Sequence, residues 1–456
     1  MGADLRKQGT VPRDTFATSF GVLVAAAGSA VGLGNIWKFP YITGGHGGAA
    51  FILIYILCVL LLGVPVMLAE LAIGRRGQGS PMRSFHHIAP NSKWSLVGLL
   101  AVLTPFLILT FYSTVGGWTI EYMVDSFGIN AGALGNGETF FADFVADPVR
   151  PVLWQCAFML LTAGVVLFGV SKGIERASKV LMPLLFLLVA AMCVRSVTLP
   201  NAGEGLRFLF KPDFSKITGE TFLAALGQAF FSLSLGMGAL ITYGSYVKKE
   251  VNLMSITAQV CIADTVMAIL CGVMILPAVF SFGVEPTAGP KLIFVTLPNI
   301  FAKMLFGGLF SFIFFTLVLI AALTSSISLF EVCTSFFKEH ARMSRMWATV
   351  VSLLAVLLIG TGVTLSMGGG EALSALSIAG MNLFDSVDFL TSNIMLPVGA
   401  LLTVVFVAWG PGKHILRPEV SNDGTLRVGY YPALRVLLRY CCPLFILVIL
   451  LFGLFT

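Results

Sequence analysis

The chain has 456 residues, of which 57% are hydrophobic and only 11% charged, against about 25% charged in a typical soluble domain. Its mean hydropathy is +0.93. That composition excludes a soluble globular protein and specifies an integral membrane protein. The net charge of +6 is no nucleic-acid footprint, because the basic residues sit in short loops between apolar runs.

Taking about 20 apolar residues per crossing, eleven spans are expected, at 16–41, 48–73, 96–125, 151–170, 175–198, 221–246, 254–282, 304–337, 346–364, 382–409 and 432–455. About 15 polar residues precede the first run, which lacks a small-residue cleavage site, so no cleaved leader is expected. With the N-terminus in the cytoplasm, twenty of the 28 basic residues fall on the inner side. The positive-inside bias therefore sets that orientation, and an odd span count puts the C-terminus outside. No N-x-S/T sequon occurs, which favours a prokaryotic plasma membrane. The eight cysteines lie in or at the ends of apolar runs without metal-ligand spacing, so they read as small hydrophobes.

Span 1 contains GSAVGLGNIWKFPY at residues 28–41. Gly28, Gly32 and Gly34 stand near its middle beside Asn35, and each glycine in a helix interior costs about 0.5–1 kcal/mol relative to alanine. A helix that stops and restarts at the bilayer midplane is expected. Such backbone survives there only when buried in protein or lining a wet cavity. Span 6 repeats the pattern, with Ser232, Ser234, Gly236 and Gly238 clustered at its centre. Spans 1 and 6 open two five-span halves, 16–198 and 199–409, flanked by 1–15 and 410–456. An odd number of spans per half makes the halves inverted, and paired interruptions point to a transporter site between them. Close helix packing by small residues is the competing reading.

Polar groups at depth are few. Glu70 ends span 2 and either caps unwound backbone or reaches the interface. Asp264 lies in span 7 among apolar residues and needs a cation, a proton or a donor. Thr324, Ser325 and Ser326 stand together in span 8, either back-bonding to their own helix or offering oxygens to a hard cation. Asp385 and Asp388 are either mouth charges facing Lys38 or interfacial charges.

GSAVGLGNIWKFPY, the FFSLSLGMGALITYGSY of span 6 and the LTSS of span 8 together resemble the neurotransmitter:sodium symporter family, with its LeuT-type fold. The likeness covers roughly residues 13–410, and the eleven-span count is similar to that of bacterial members. The resemblance implies an all-α inverted repeat with broken helices 1 and 6. It implies two sodium sites, one at Ala30, Asn35, Ser232 and Asp264 with the substrate carboxylate, the other at Gly28, Val31, Ala321, Thr324 and Ser325. The substrate carboxylate is expected at Leu33, Gly34 and Tyr112, and its ammonium at the carbonyls of Ala30, Phe231 and Ser232. The side chain is expected among Ser29, Ile108, Phe231, Ser234, Met237, Ser325 and Leu329. The family's amine transporters carry an aspartate where Gly32 stands here, so an amino acid is expected, and the apolar lining favours a hydrophobic one, aromatic residues included.

An inner gate of Arg13, Ser245, Tyr246 and Glu339 and an outer gate of Lys38 and Asp388 carry over, with lysine where many members have arginine. The family commonly has asparagine at Asp264, and the fixed charge here implies that chloride is not required. A membrane enzyme using Asp264, Glu70 and Glu331, or an ion channel, would be the rival functions. The first lacks a nucleophile–base pair or metal cluster, the second a filter loop. No feature of the chain specifies an oligomeric state.

Overall fold

The computed structural model describes residues 14–131, 137–283, 291–374, 376–378 and 380–455, and among these there is no strand, only helices and their connections. Nine of the described helices are long and apolar enough to cross a bilayer. They are Ala49–Gly77 (span 2), Ser95–Gly128 (span 3), Arg150–Leu167 (span 4), Val170–Val197 (span 5) and Leu253–Ser281 (span 7), followed by Gly307–His340 (span 8), Arg345–Leu365 (span 9), Leu383–Ala408 (span 10) and Tyr431–Leu454 (span 11).

The segments expected as spans 1 and 6 are broken where the glycines stand, and of the two only the first, as a bent pair, is long and apolar enough to cross, which makes ten crossings among the described residues rather than the eleven expected. Span 1 is Ser19–Ala30 and Gly34–Gly45, bent by 49°. Span 6 is Gly219–Ser232 and Ala239–Gly244, with 233–238 outside any helix. Three residues of that connection adopt left-handed backbone: Ser234 at φ +56°, Gly236 at +81° and Gly238 at +71°. Two are glycines, which take that conformation freely; Ser234 is not, and its strain is held by a contact described below. Span 8 begins three residues later than the apolar run suggests, because Phe306, at φ +58°, turns the chain there.

Both broken spans are capped at their starts. The Thr18 hydroxyl accepts from the Gly21 amide and donates to Glu175. Thr218 and Thr221 form a reciprocal capping box. Spans 3, 4, 8 and 9 pack against one another, while the first half of span 1 lies against spans 5, 7 and 8. One large hydrophobic core takes residues from Phe16 to Ile446. All eight cysteines are free, as their apolar settings imply.

Span 2 meets the second half of span 6 backbone to backbone. A Cβ on Gly74 would stand 1.9 Å from the Ile241 carbonyl oxygen, and one on Gly244 2.5 Å from that of Leu71. Gly74→Val is therefore expected to cost about 3 kcal/mol through overpacking, read as a lower melting temperature in detergent. Gly164→Ala, whose Cβ meets nothing within 4 Å, should leave it unchanged or raise it. Equal melting of the two variants would contradict this packing.

Candidate functional site

The two breaks face each other: side chains of span 6 bond backbone carbonyls of span 1, and span 2 supplies the partner for the break in span 6. Ser234 Oγ donates to the Ser29 carbonyl at 2.7 Å, which holds the left-handed residue in place. Gln228 Nε2 donates to the Gly34 carbonyl at 3.1 Å. Glu70, from span 2, accepts from the Gly236 amide at 2.7 Å. Of the two readings of Glu70, capping of unwound backbone is the one the geometry displays. Ser325 Oγ lies 3.4 Å from both the Gly28 and Ser29 carbonyls, tying span 8 to the end of the first half-helix.

Asp264 sits beside the break, fully buried. It accepts from Asn35 Nδ2 at 2.7 Å, from the Tyr55 hydroxyl at 2.9 Å and from Ser232 Oγ at 3.0 Å. No basic side chain pairs with it among the described residues. Three donors moderate the cost of a buried carboxylate without supplying a counter-charge. Around the breaks the buried Asn35 Oδ1, Gln228 Oε1 and Glu70 Oε2 have no hydrogen-bond partner among the described residues. All three are acceptors, so the centre holds a surplus of oxygen lone pairs and a negative charge. That is the donor set of a hard cation.

Thr324 donates to the Ile320 and Ala321 carbonyls at 3.2 and 3.0 Å, the back-bonded arrangement, yet its lone pairs stay available. A Cβ on Gly28 would stand 3.2 Å from the Thr324 Cβ, a close approach of the two helices that a larger residue would widen by a few tenths of an ångström. Gly32 is tighter: its Cβ would lie 2.4 Å from Ser325 Oγ and 3.6 Å from the Tyr112 hydroxyl. Ser29, Ala30, Val31, Leu33, Ile108, Met237 and Leu329 are all buried around this point, and Phe231 is half-buried, its ring edge 3.1 Å from where a Gly34 Cβ would be.

The two ends of the molecule differ. On the side of residue 14, the Tyr246 hydroxyl donates to Glu331 at 2.7 Å, Arg345 pairs with Glu331 at 2.6 Å, and Asp14 meets Arg345 and Lys338 at 3.4 and 3.6 Å. The Phe16 amide donates to the Tyr246 carbonyl at 3.2 Å, and its ring packs edge-on to Tyr243 and Tyr246. Glu339 accepts from the Ser80 amide at 2.8 Å, and Ser245 turns its hydroxyl to the Thr242 carbonyl. Arg13 lies outside the described residues. At the other end no ion pair joins Lys38 to Asp388. The Lys38 ammonium instead lies 4.8 Å over the Phe231 ring, and Asp388 accepts from Ser392. The first end is held by a chain of ion pairs, and at the second Lys38 and Asp388 do not pair with each other.

Tyr55 and the Tyr246–Glu331–Arg345–Asp14 chain are the contacts that sequence reasoning missed. A tyrosine inside an apolar span reads as core, and its need for a buried partner is the only signal it gives. Asp264, Glu70 and Glu331 each hold different partners and form no common centre.

Among the described residues, nine membrane-length helices and the bent pair of span 1, with the segment at 219–244 broken opposite that bend around an oxygen-rich centre, define a multi-pass transporter of the LeuT type. The profile of the sodium:neurotransmitter symporter family matches residues 13–133 and 146–456. The chain belongs to that family: it is a sodium-dependent membrane transporter and not an enzyme. It is 40% identical to the uncharacterized sodium-dependent transporter YhdH of Bacillus subtilis over 438 residues, 96% of each chain. It is 35% identical to an uncharacterized sodium-dependent transporter of Haemophilus influenzae, over 97% of this chain and 98% of the relative. The crystal structure of MhsT in complex with L-phenylalanine superimposes with a TM-score of 0.86 at 42% identity, covering 97% of this chain and 100% of that one.

Glu70→Ala would leave the buried Gly236 amide without a partner, at a cost of about 1–3 kcal/mol. A fall in melting temperature is expected, with Glu70→Gln, which retains an acceptor, losing much less. Equal losses would assign Glu70 a role other than capping span 6.

Proposed function

We propose that this protein is a symporter that uses the sodium gradient to take up amino acids with hydrophobic side chains, aromatic ones included, by alternating access. The observation that carries the reading is the cradle at residues 31–34. Backbone leaves the helix at Val31 and Gly32, Gly32 leaves no room for an acidic side chain, and the buried Tyr112 hydroxyl stands 3.6 Å from where a Gly32 Cβ would be. As the first amides of the second half-helix, Leu33 and Gly34 lack carbonyl partners within it, and a helix N-terminus favours an anion. A ligand bringing its own carboxylate suits this cradle; an amine does not. The ammonium would meet the carbonyls of Ala30, Phe231 and Ser232. Ser29, Ile108, Phe231, Ser234, Met237, Ser325 and Leu329 would surround the side chain, and Tyr112 with Phe231 would close over it. The L-phenylalanine bound to MhsT, a neighbour of 42% identity, supports this class.

Two sodium ions fit the oxygens present. One would lie at Ala30, Asn35, Ser232, Asp264 and the substrate carboxylate; the unpartnered Asn35 Oδ1 and the unpaired Asp264 charge support it. The other would lie at Gly28, Val31, Ala321, Thr324 and Ser325, where span 8 approaches the released carbonyls. A cation sharing the substrate carboxylate couples the two ligands, since each then binds better with the other present. Each charge moved through the membrane potential contributes about 2.3 kcal/mol per 100 mV. The fixed charge of Asp264 makes chloride unnecessary.

With the N-terminus cytoplasmic and the C-terminus outside a prokaryotic plasma membrane, the ion-paired end is the inner one. Spans 1, 2, 6 and 7 would rock against the rest. The halves 16–198 and 199–409 would be the inverted repeats, with Arg13, Ser245, Tyr246 and Glu339 as inner gate and Lys38 and Asp388 as outer gate.

Proteoliposomes with an imposed sodium gradient should accumulate labelled leucine and tryptophan, in the absence of chloride as well, and potassium should not replace sodium. No accumulation of any amino acid would overturn the reading, and exclusion of tryptophan would remove aromatic substrates from it. Asp264→Asn keeps the shape but not the charge. It is expected to raise the sodium concentration needed for uptake at least tenfold, about 1.4 kcal/mol; an unchanged sodium dependence would take Asp264 out of the cation site.

A further inference from the structure

Away from the central site, a cavity of about 610 Å³ opens between the inner ends of spans 10 and 11. Lys413, Arg417, Arg435 and Arg439 line it with His414, and no carboxylate does. The nearest acids in sequence are already engaged: Glu419 holds Arg75 and Lys249, and Asp423 meets Lys249. None of the four cations forms an ion pair among the described residues. Arg439 Nε is buried and has no hydrogen-bond partner. The Arg417 guanidinium lies 5.8 Å over the Tyr431 ring and that of Arg439 5.9 Å over Tyr440, which steadies each plane and leaves its N–H fork free.

The depth of this cluster identifies its ligand. Trp409 follows the last residue of span 10 and Tyr431 is the first of span 11, placing the mouth at the level where aromatic side chains border a bilayer. Arg439 stands eight residues into span 11, about 12 Å along the helix. A cation there is costly unless its head meets an anion at the interface. Only 17% of the apolar window of span 11 is buried, so acyl chains have a free surface beside the cavity.

We propose that this cavity binds the phosphate headgroup of an anionic phospholipid. Arg435 and Arg439 ligate the phosphate, Lys413 and Arg417 close the rim, and the acyl chains lie along span 11. Basic pockets between helices on the cytoplasmic side of a membrane have this chemistry. Pro418 lines the cavity and Glu419, the next residue, clamps Arg75 of span 2 and Lys249 beyond span 6. A bound headgroup therefore braces the turn that ties Arg75 and Lys249 together.

The test is native mass spectrometry with thermal melting of the full-length protein in detergent, titrated separately with cardiolipin, phosphatidylglycerol, phosphatidylcholine and inorganic phosphate. The two anionic lipids should be retained and raise the melting temperature, while phosphatidylcholine and phosphate at matched concentration should not. Removing one charge should weaken anionic-lipid binding about fivefold, and Arg435→Gln with Arg439→Gln about 25-fold. Lys413→Gln with Arg417→Gln, outside the span, provides a second double variant should the first fail to fold. Lys172→Gln, a basic side chain on the same side, should change nothing. Unchanged affinity in the double variants, or an equal loss in Lys172→Gln, overturns the proposal. So does equal stabilisation by phosphatidylcholine; equal stabilisation by inorganic phosphate assigns the cavity to a soluble anion instead.

Discussion

Backbone released from a helix at the middle of a bilayer has no water to turn to, and this constraint organises the centre of the molecule. Spans 1 and 6 meet it by breaking opposite each other. Ser234 reaches the Ser29 carbonyl, Gln228 the Gly34 carbonyl, and Glu70 comes from span 2 for the Gly236 amide. The strained backbone of Ser234 survives because its side chain is tied down across the break. These pairings leave acceptors over, and that surplus gives the centre its chemistry.

Charge follows the same logic. Asp264 is surrounded by Asn35, Tyr55 and Ser232, which orient the carboxylate but carry no charge to balance it. A protein that keeps such a group without a basic partner leaves its neutralisation to something that comes and goes. The ends of the molecule show the opposite economy. Arg345, Glu331, Asp14 and Lys338 form a paired chain at the end of residue 14, whereas Lys38 and Asp388 remain apart at the other.

The architecture was largely legible in the chain because its causes are local. Apolar run length located the spans, and glycines at 28, 32 and 34 and at 236 and 238 located the breaks to within a turn. The family resemblance of the motifs grouped Asn35, Ser232 and Asp264 as ligands of one cation; the hydrogen bonds that Asn35 and Ser232 give to Asp264 were not foreseen. Nor was Tyr55, because nothing local separates a tyrosine bound to a distant carboxylate from one that merely fills space. The Tyr246–Glu331–Arg345 chain joins three segments through long side chains, and no spacing in the sequence encodes such a meeting. Lys38 and Asp388 were expected as a pair; whether such a gate is shut depends on the conformation, which composition and periodicity do not specify.

The central claim is that sodium and substrate meet at one break and share ligands. Equilibrium binding of a labelled amino acid at several sodium concentrations, with sodium binding measured at several amino-acid concentrations, tests it directly. Shared ligands require that each tighten the other by the same factor. Substrate affinity that does not change with sodium would contradict the claim.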